Sequence, residues 1–62
     1  KSLIESKVIG KVVAAIDVSH GTLSVVFSDG SVLAREKNCD GEIMIVYYNQ
    51  EGVPETSLKI WG

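Results

Sequence analysis

Sixty-two residues make at most one domain, because a chain this short buries only about 60% of the surface its unfolded form exposes. An apolar fraction of 45% with 23% charged residues belongs to a folded domain and excludes a disordered tail. The net charge of −2 disfavours a nucleic-acid partner, which needs a concentrated basic surface, and one Cys with one His can supply neither an internal disulfide nor the four ligands of a structural zinc site.

Fifteen Val and Ile residues outnumber the eight Leu, Ala and Met, a bias toward stiff β-branched side chains that suit a pleated sheet. The expected fold class is mostly β (α+β): a short N-terminal helix followed by a five-stranded antiparallel meander, open or curled into a small barrel, with residues 1–62 as one domain. The helix is predicted over about residues 2–9. Ser2 and Glu5 fit a capping box, Leu3, Ile4 and Val8 share one helical stripe, and Gly10 can end the turn.

From Lys11 the hydrophobic period becomes two. His20-Gly21 and Asp29-Gly30 read as two-residue hairpin turns, which places strands over about 11–19, 22–28 and 31–36, with Ser19 facing Thr22 and Ser28 facing Ser31. After the Asn38-Cys39-Asp40-Gly41 loop, a fourth strand over about 43–49 is apolar on both faces. Pro54 marks an irregular connection, and a fifth strand spans about 57–61.

With two-residue turns, Val18 faces Leu23, Ile16 faces Val25, Ala14 faces Phe27, Phe27 faces Val32 and Val25 faces Ala34. One sheet face then carries Val12, Ala14, Ile16, Val18, Leu23, Val25, Phe27, Val32 and Ala34, a candidate core with the helix as its cover. The other carries the apolar cluster Val13, Ala15, Val26 and Leu33 beside a polar row of Asp17, Ser24 and Arg35. That row is either a cross-strand network that sets pairing or a site that orients a partner or a small anionic ligand, with the Arg35 fork and the Ser24 hydroxyl as donors.

Catalysis is not expected, because the chain has one His, one Cys, one Arg and no Gly-rich phosphate loop. His20 reads as a solvated turn residue. Cys39 sits in a polar loop among Asn38, Asp40 and Glu42, where an inert thiol is expected, and the alternating oxygen ligands lack the spacing of a calcium loop. No metal or cofactor is expected. Tyr47 and Tyr48 must project to opposite faces, so one joins the core and the other joins Met44 and Val46 on the second face; Trp61 is a core plug or a partner anchor. The candidate binding residues are therefore Arg35, Ser24, Asp17, Tyr47, Tyr48 and Trp61, and the candidate oligomer interface is Val13, Ala15, Val26, Leu33, Met44 and Val46.

The run Ile9-Gly10-Lys11-Val12-Val13 followed by residues 21–31, Gly21 through Phe27-Ser28-Asp29-Gly30-Ser31, resembles small uncharacterised phage and bacterial β-proteins that open with an IGK segment and continue with an F-x-D-G-S/T hairpin. The resemblance covers about residues 8–34 and implies a compact helix-plus-meander protein, often phage-borne, without an assigned activity. The charge is uneven, with four basic and three acidic groups in residues 1–35 (+1) against two basic and five acidic in residues 36–62 (−3). Small size and surplus apolar surface point to a non-catalytic interaction protein, of the type of a phage inhibitor or accessory factor in the host cytoplasm. The surplus apolar face is expected to be covered by the chain itself, as a homodimer or higher symmetric oligomer, and/or by a foreign protein; the alternative function is a homo-oligomer that builds small-ligand pockets between subunits, for instance to sequester a signalling nucleotide. No apolar run approaches the ~20 residues of a membrane span and no basic-then-apolar leader opens the chain, so a soluble cytoplasmic protein without a membrane partner is expected.

Overall fold

Residues 3–19 and 22–61 are described by a computed structural model, in the order α1 (Leu3–Val8), β1 (Val13–Ser19), β2 (Thr22–Phe27), β3 (Val32–Lys37), β4 (Ile43–Tyr48) and β5 (Pro54–Trp61). Ser2 of the expected capping box and the His20-Gly21 turn lie outside the described residues. The end of α1 follows the sequence: the Ile9 amide donates to the Glu5 carbonyl at 3.0 Å, the Lys11 amide to the Val8 carbonyl at 3.1 Å, and Gly10 takes a φ of 87° that only a residue without Cβ adopts at no cost.

Each strand pairs antiparallel with the next, in the spatial order β1-β2-β3-β4-β5. The sheet is open rather than closed into a barrel, so β1 and β5 are its edges. Openness is visible in the surface. The chain exposes 4276 Å², against about 3,900 Å² for a compact monomer of its mass.

Three of the four hairpins share one construction. The amides of Phe27, Asn38 and Asn49 donate to the carbonyls of Ser31, Glu42 and Val53 at 2.9, 3.0 and 3.0 Å, while Gly30, Gly41 and Gly52 donate back to the carbonyls of Phe27, Asn38 and Asn49 at 2.9, 3.1 and 2.9 Å. Each loop therefore has three residues and closes on a glycine with φ between 82° and 92°. Asp29-Gly30 is thus part of a three-residue loop and not a two-residue turn. Phe27 rather than Ser28 is the last paired residue, and the β2–β3 register moves by one, to Val26↔Val32, Val25↔Leu33 and Ser24↔Ala34.

The first hairpin keeps the expected pairs Ser19↔Thr22, Val18↔Leu23 and Ile16↔Val25. At its far end a bulge between Val13 and Ala15 makes Ala14 the extra residue, so Val13, not Ala14, opposes Phe27. Pro54 also departs from expectation. It opens β5 opposite Tyr48, at the start of an edge strand, where a missing amide proton disturbs no interior ladder.

The two faces are therefore composed differently from the sequence expectation. Because paired residues share a face, the first holds Val13, Ile16, Val18, Leu23, Val25, Phe27, Leu33, Arg35, Ile45, Tyr47 and Leu58. The second holds Ala15, Asp17, Ser24, Val26, Val32, Ala34, Glu36, Met44, Val46 and Tyr48. The helix packs on β4 and β5; its Ile4 is buried, as are Tyr47 on β4 and Phe27 on β2. Thr56, paired with Tyr47, is half-buried, whereas Ser57 on the second face is exposed, which places α1 on the first face.

Candidate functional site

Six helical residues rise only about 9 Å, while the seven residues of β1 run about 23 Å, so α1 cannot cover the sheet face it lies on. The covered end is tied down by charge. Lys11 binds the Asp29 carboxylate, lies 5.7 Å from the Tyr47 ring centroid, and shares Asp29 with Gln50 Nε2 at 3.3 Å. Fully buried Ser31 donates its hydroxyl at 2.5 Å and its amide at 2.9 Å to Asp29 Oδ1. The Lys11 ammonium, with Ser31, holds the Asp29 carboxyl well below the usual carboxylate range, and Asp29 in turn raises Lys11. Beside it Lys7 reaches Glu55 at 3.2 Å, and Glu55 also accepts from Asn49 Nδ2 at 3.0 Å; Asn49 and Lys7 lower its pKa.

The rest of that face has no cover. Ile16 is 63% exposed, Val18 70%, Leu23 42% and Leu58 41%. Val25, Leu33 and Ile45 lie half-buried between them, and with Leu23, Ala34 and Arg35 they line a shallow depression of about 70 Å³. Its centre is β3, the middle strand, and Arg35 stands there exposed. This open end is the candidate site.

The sequence-predicted residues separate. Asp17 and Ser24 are directly paired on the second face, but the one-residue shift at the second hairpin sends Arg35 to the first, so the three-residue polar row does not form. Tyr47 is the core member of the tyrosine pair. On the second face Tyr48 donates its hydroxyl to Glu36, reaching past the Ala34↔Val46 pair; Glu36, with burial, raises the phenol pKa. Trp61 is 71% exposed and pairs with Ile43 at the end of β5. Of the expected interface cluster, Val13 and Leu33 lie on the helix-bearing face, while Ala15, Val26, Met44 and Val46 lie on the other, with Val46 buried.

Ile16, Val18, Leu23 and Val25, expected in a helix-covered core, lie instead at the uncovered end, where Ile45 and Leu58, residues without an expected role at a site, join them. The length of α1 was the available signal. A six-residue helix spans less than half of such a strand.

At the β3–β4 turn, Asn38 Oδ1 accepts the amides of Asp40 and Glu42, each at 3.0 Å, and Asn38 Nδ2 donates to Glu42 Oε1 at 2.8 Å. These oxygens close a loop. Lys59 reaches Glu42 at 3.2 Å, and Asn38 and Lys59 lower the Glu42 pKa. Cys39 is a free, exposed thiol at this turn. Among the described residues no group of three or more His, Cys, Asp or Glu is placed to hold a metal ion, and no helix is long and apolar enough to cross a membrane.

Fold and surface together define a small α+β protein: an open five-stranded meander with a short helix clamped over one end of one face. Compared with known proteins, the chain matches no family model, no curated protein and no solved structure.

Proposed function

We propose that this protein is a non-catalytic binding module that acts by protein–protein contact through the open end of its helix-bearing face, as an inhibitor or accessory factor of a larger protein. One observation carries the reading: Ile16, Val18 and Leu23 are exposed side by side on the paired strands β1 and β2, and Leu58 is exposed on the same face at the opposite edge of the sheet. Immobilised wild-type protein compared with the Ile16→Ser/Leu23→Ser variant, each with its fold checked by far-UV circular dichroism, tests it. Specific capture by the wild type and its loss in the variant support the reading. Equal capture by both refutes it.

A second reading, a homo-oligomer with small-ligand pockets between subunits, draws on the depression beside Arg35. Its volume of about 70 Å³ is well short of the ~300–1,000 Å³ of ligand pockets, so a second subunit would have to close it. Native mass spectrometry over a dilution series separates the two. A monomer at every concentration removes the second reading, and an oligomer carrying extra mass favours it.

A further inference from the structure

The chain is held to the sheet unevenly on the two sides of Gly10. On the C-terminal side it is anchored: the Ser28 amide donates to the Val12 carbonyl at 2.8 Å, and Lys11 is paired with Asp29 over the Tyr47 ring. On the N-terminal side stands α1, six residues with Ile4 as the buried one, whose Lys7 meets Glu55 at 3.2 Å in a pair with both side chains more than a third exposed. An exposed pair contributes little, and a helix of this length does not persist without packing. Gly10 has a φ of 87° and open space where a Cβ would stand, so no side chain there opposes rotation of its backbone.

What lies under α1 belongs with the open end. Tyr47 is 4% exposed, pairs with Leu33 on β3 and stands two residues along β4 from Ile45. Thr56, its partner on β5, is half-buried and stands two residues from Leu58. Leu33, Ile45 and Leu58 are all on the open surface, so the area that α1 covers continues that surface across β4 and β5.

Resting on the binding-module reading, we propose that α1 is a displaceable cover over this site: it swings out about Gly10 while the sheet stays folded, and so extends the apolar docking surface to Tyr47. The Ser28–Val12 bond keeps the chain on the sheet just beyond the hinge and confines the motion to α1. A partner that takes Tyr47 together with the open end binds the uncovered form better, and draws the equilibrium toward it. Without a partner, α1 keeps that part of the surface out of solvent.

The test uses the full chain. Hydrogen exchange followed by nuclear magnetic resonance reads the opening with no partner present. The Ile9 and Lys11 amides, bonded to the Glu5 and Val8 carbonyls, are expected to be protected at least about tenfold less than the amides of the middle strand β3. Their exchange should depend little on low urea, because opening α1 exposes little surface, whereas exchange in β3 should rise steeply. Glu55→Gln keeps an acceptor for Asn49 and removes the charge that holds Lys7; it should speed the Ile9 and Lys11 amides about threefold and leave β3 unchanged. Ile4→Ser should speed them at least about tenfold, and should raise the fluorescence of bound anilinonaphthalene sulfonate with the far-UV circular dichroism of the sheet retained. Should Ile4→Ser not fold, Glu55→Gln carries the test.

Ile9 and Lys11 amides as well protected as β3, or with the same urea dependence, would overturn the displaceable cover and leave the binding-module reading intact. Fast exchange that neither substitution alters would mean fraying of α1 in place, which overturns it equally. Equal capture of a partner by the wild type and by Ile16→Ser/Leu23→Ser would overturn the docking role of the cover, with the opening itself still read by exchange.

Discussion

Gly41→Ala isolates the device that sets the register of this sheet. Gly41 has a φ of 83°, and a Cβ built there meets nothing within 4 Å, so the substitution introduces no clash. Its cost is backbone strain alone. A left-handed conformation costs an L-residue about 1–2 kcal/mol, and the narrower freedom of alanine in the unfolded chain returns about 0.4–1 kcal/mol. The expected net loss is about 1 kcal/mol, a fall in Tm of about 4–8 °C for a domain of this size, from a total stability on the order of 3–9 kcal/mol. Gly41→Asn should recover most of it, because asparagine tolerates this region. Thermal and urea unfolding followed by circular dichroism read both values. A neutral Gly41→Ala, or an asparagine no better than alanine, would refute the view that a positive-φ residue closes this three-residue loop.

Other expectations follow from the polar contacts. Asp29, Glu42 and Glu55 have carboxyls held below their ordinary values, so their contribution to stability is present above about pH 4 and is lost as pH falls through the folded values; Asp29→Asn should flatten this acid limb in a Tm–pH profile. Tyr48 and Lys11 are raised, so their contribution is present below about pH 10 and is lost as pH rises through the folded values. Tyr48→Phe should remove the tyrosine part of that alkaline limb, and an unchanged limb would contradict the Glu36 contact. Ser31→Ala deletes a fully buried hydroxyl that donates to Asp29 and should cost about 1–2 kcal/mol in urea unfolding. Asn49→Ala removes the acceptor of the Glu51 and Val53 amides and should cost about 1 kcal/mol, most visibly as faster amide exchange at those two residues.

The element order was legible because its signals are local. The Leu3, Ile4 and Val8 stripe, the change to period two and the turn glycines each act within a few residues, and they place a helix and five strands. Register was only half legible. The Ser19↔Thr22 end of the first hairpin follows from its loop length, but the β1 bulge at Ala14 and the choice between two- and three-residue loops depend on small differences that Asp-Gly alone does not resolve. A cue existed in the spacing. Gly30, Gly41 and Gly52 stand eleven residues apart, each preceded by an acidic residue, and three equal loops separated by two strands of equal length, β3 and β4, would produce that recurrence.

The candidate site was less legible because one residue of register decides which face a side chain joins. Reading Asp29-Gly30 as a complete turn puts Arg35 beside Asp17 and Ser24, where it is a partner in a polar row. Adding Ser28 to the loop puts it among Leu23, Leu33 and Ile45, where it is a cation on an apolar surface. Composition, strand count and nearly all strand boundaries are the same in both cases. The chemistry open to the protein changes, because in the first arrangement the guanidinium shares a sheet face with Asp17 and Ser24 and in the second with Leu23, Leu33 and Ile45. The short helix completes the effect: by covering only β4 and β5 at the Tyr47 end, it leaves that cation and its apolar surround in contact with solvent.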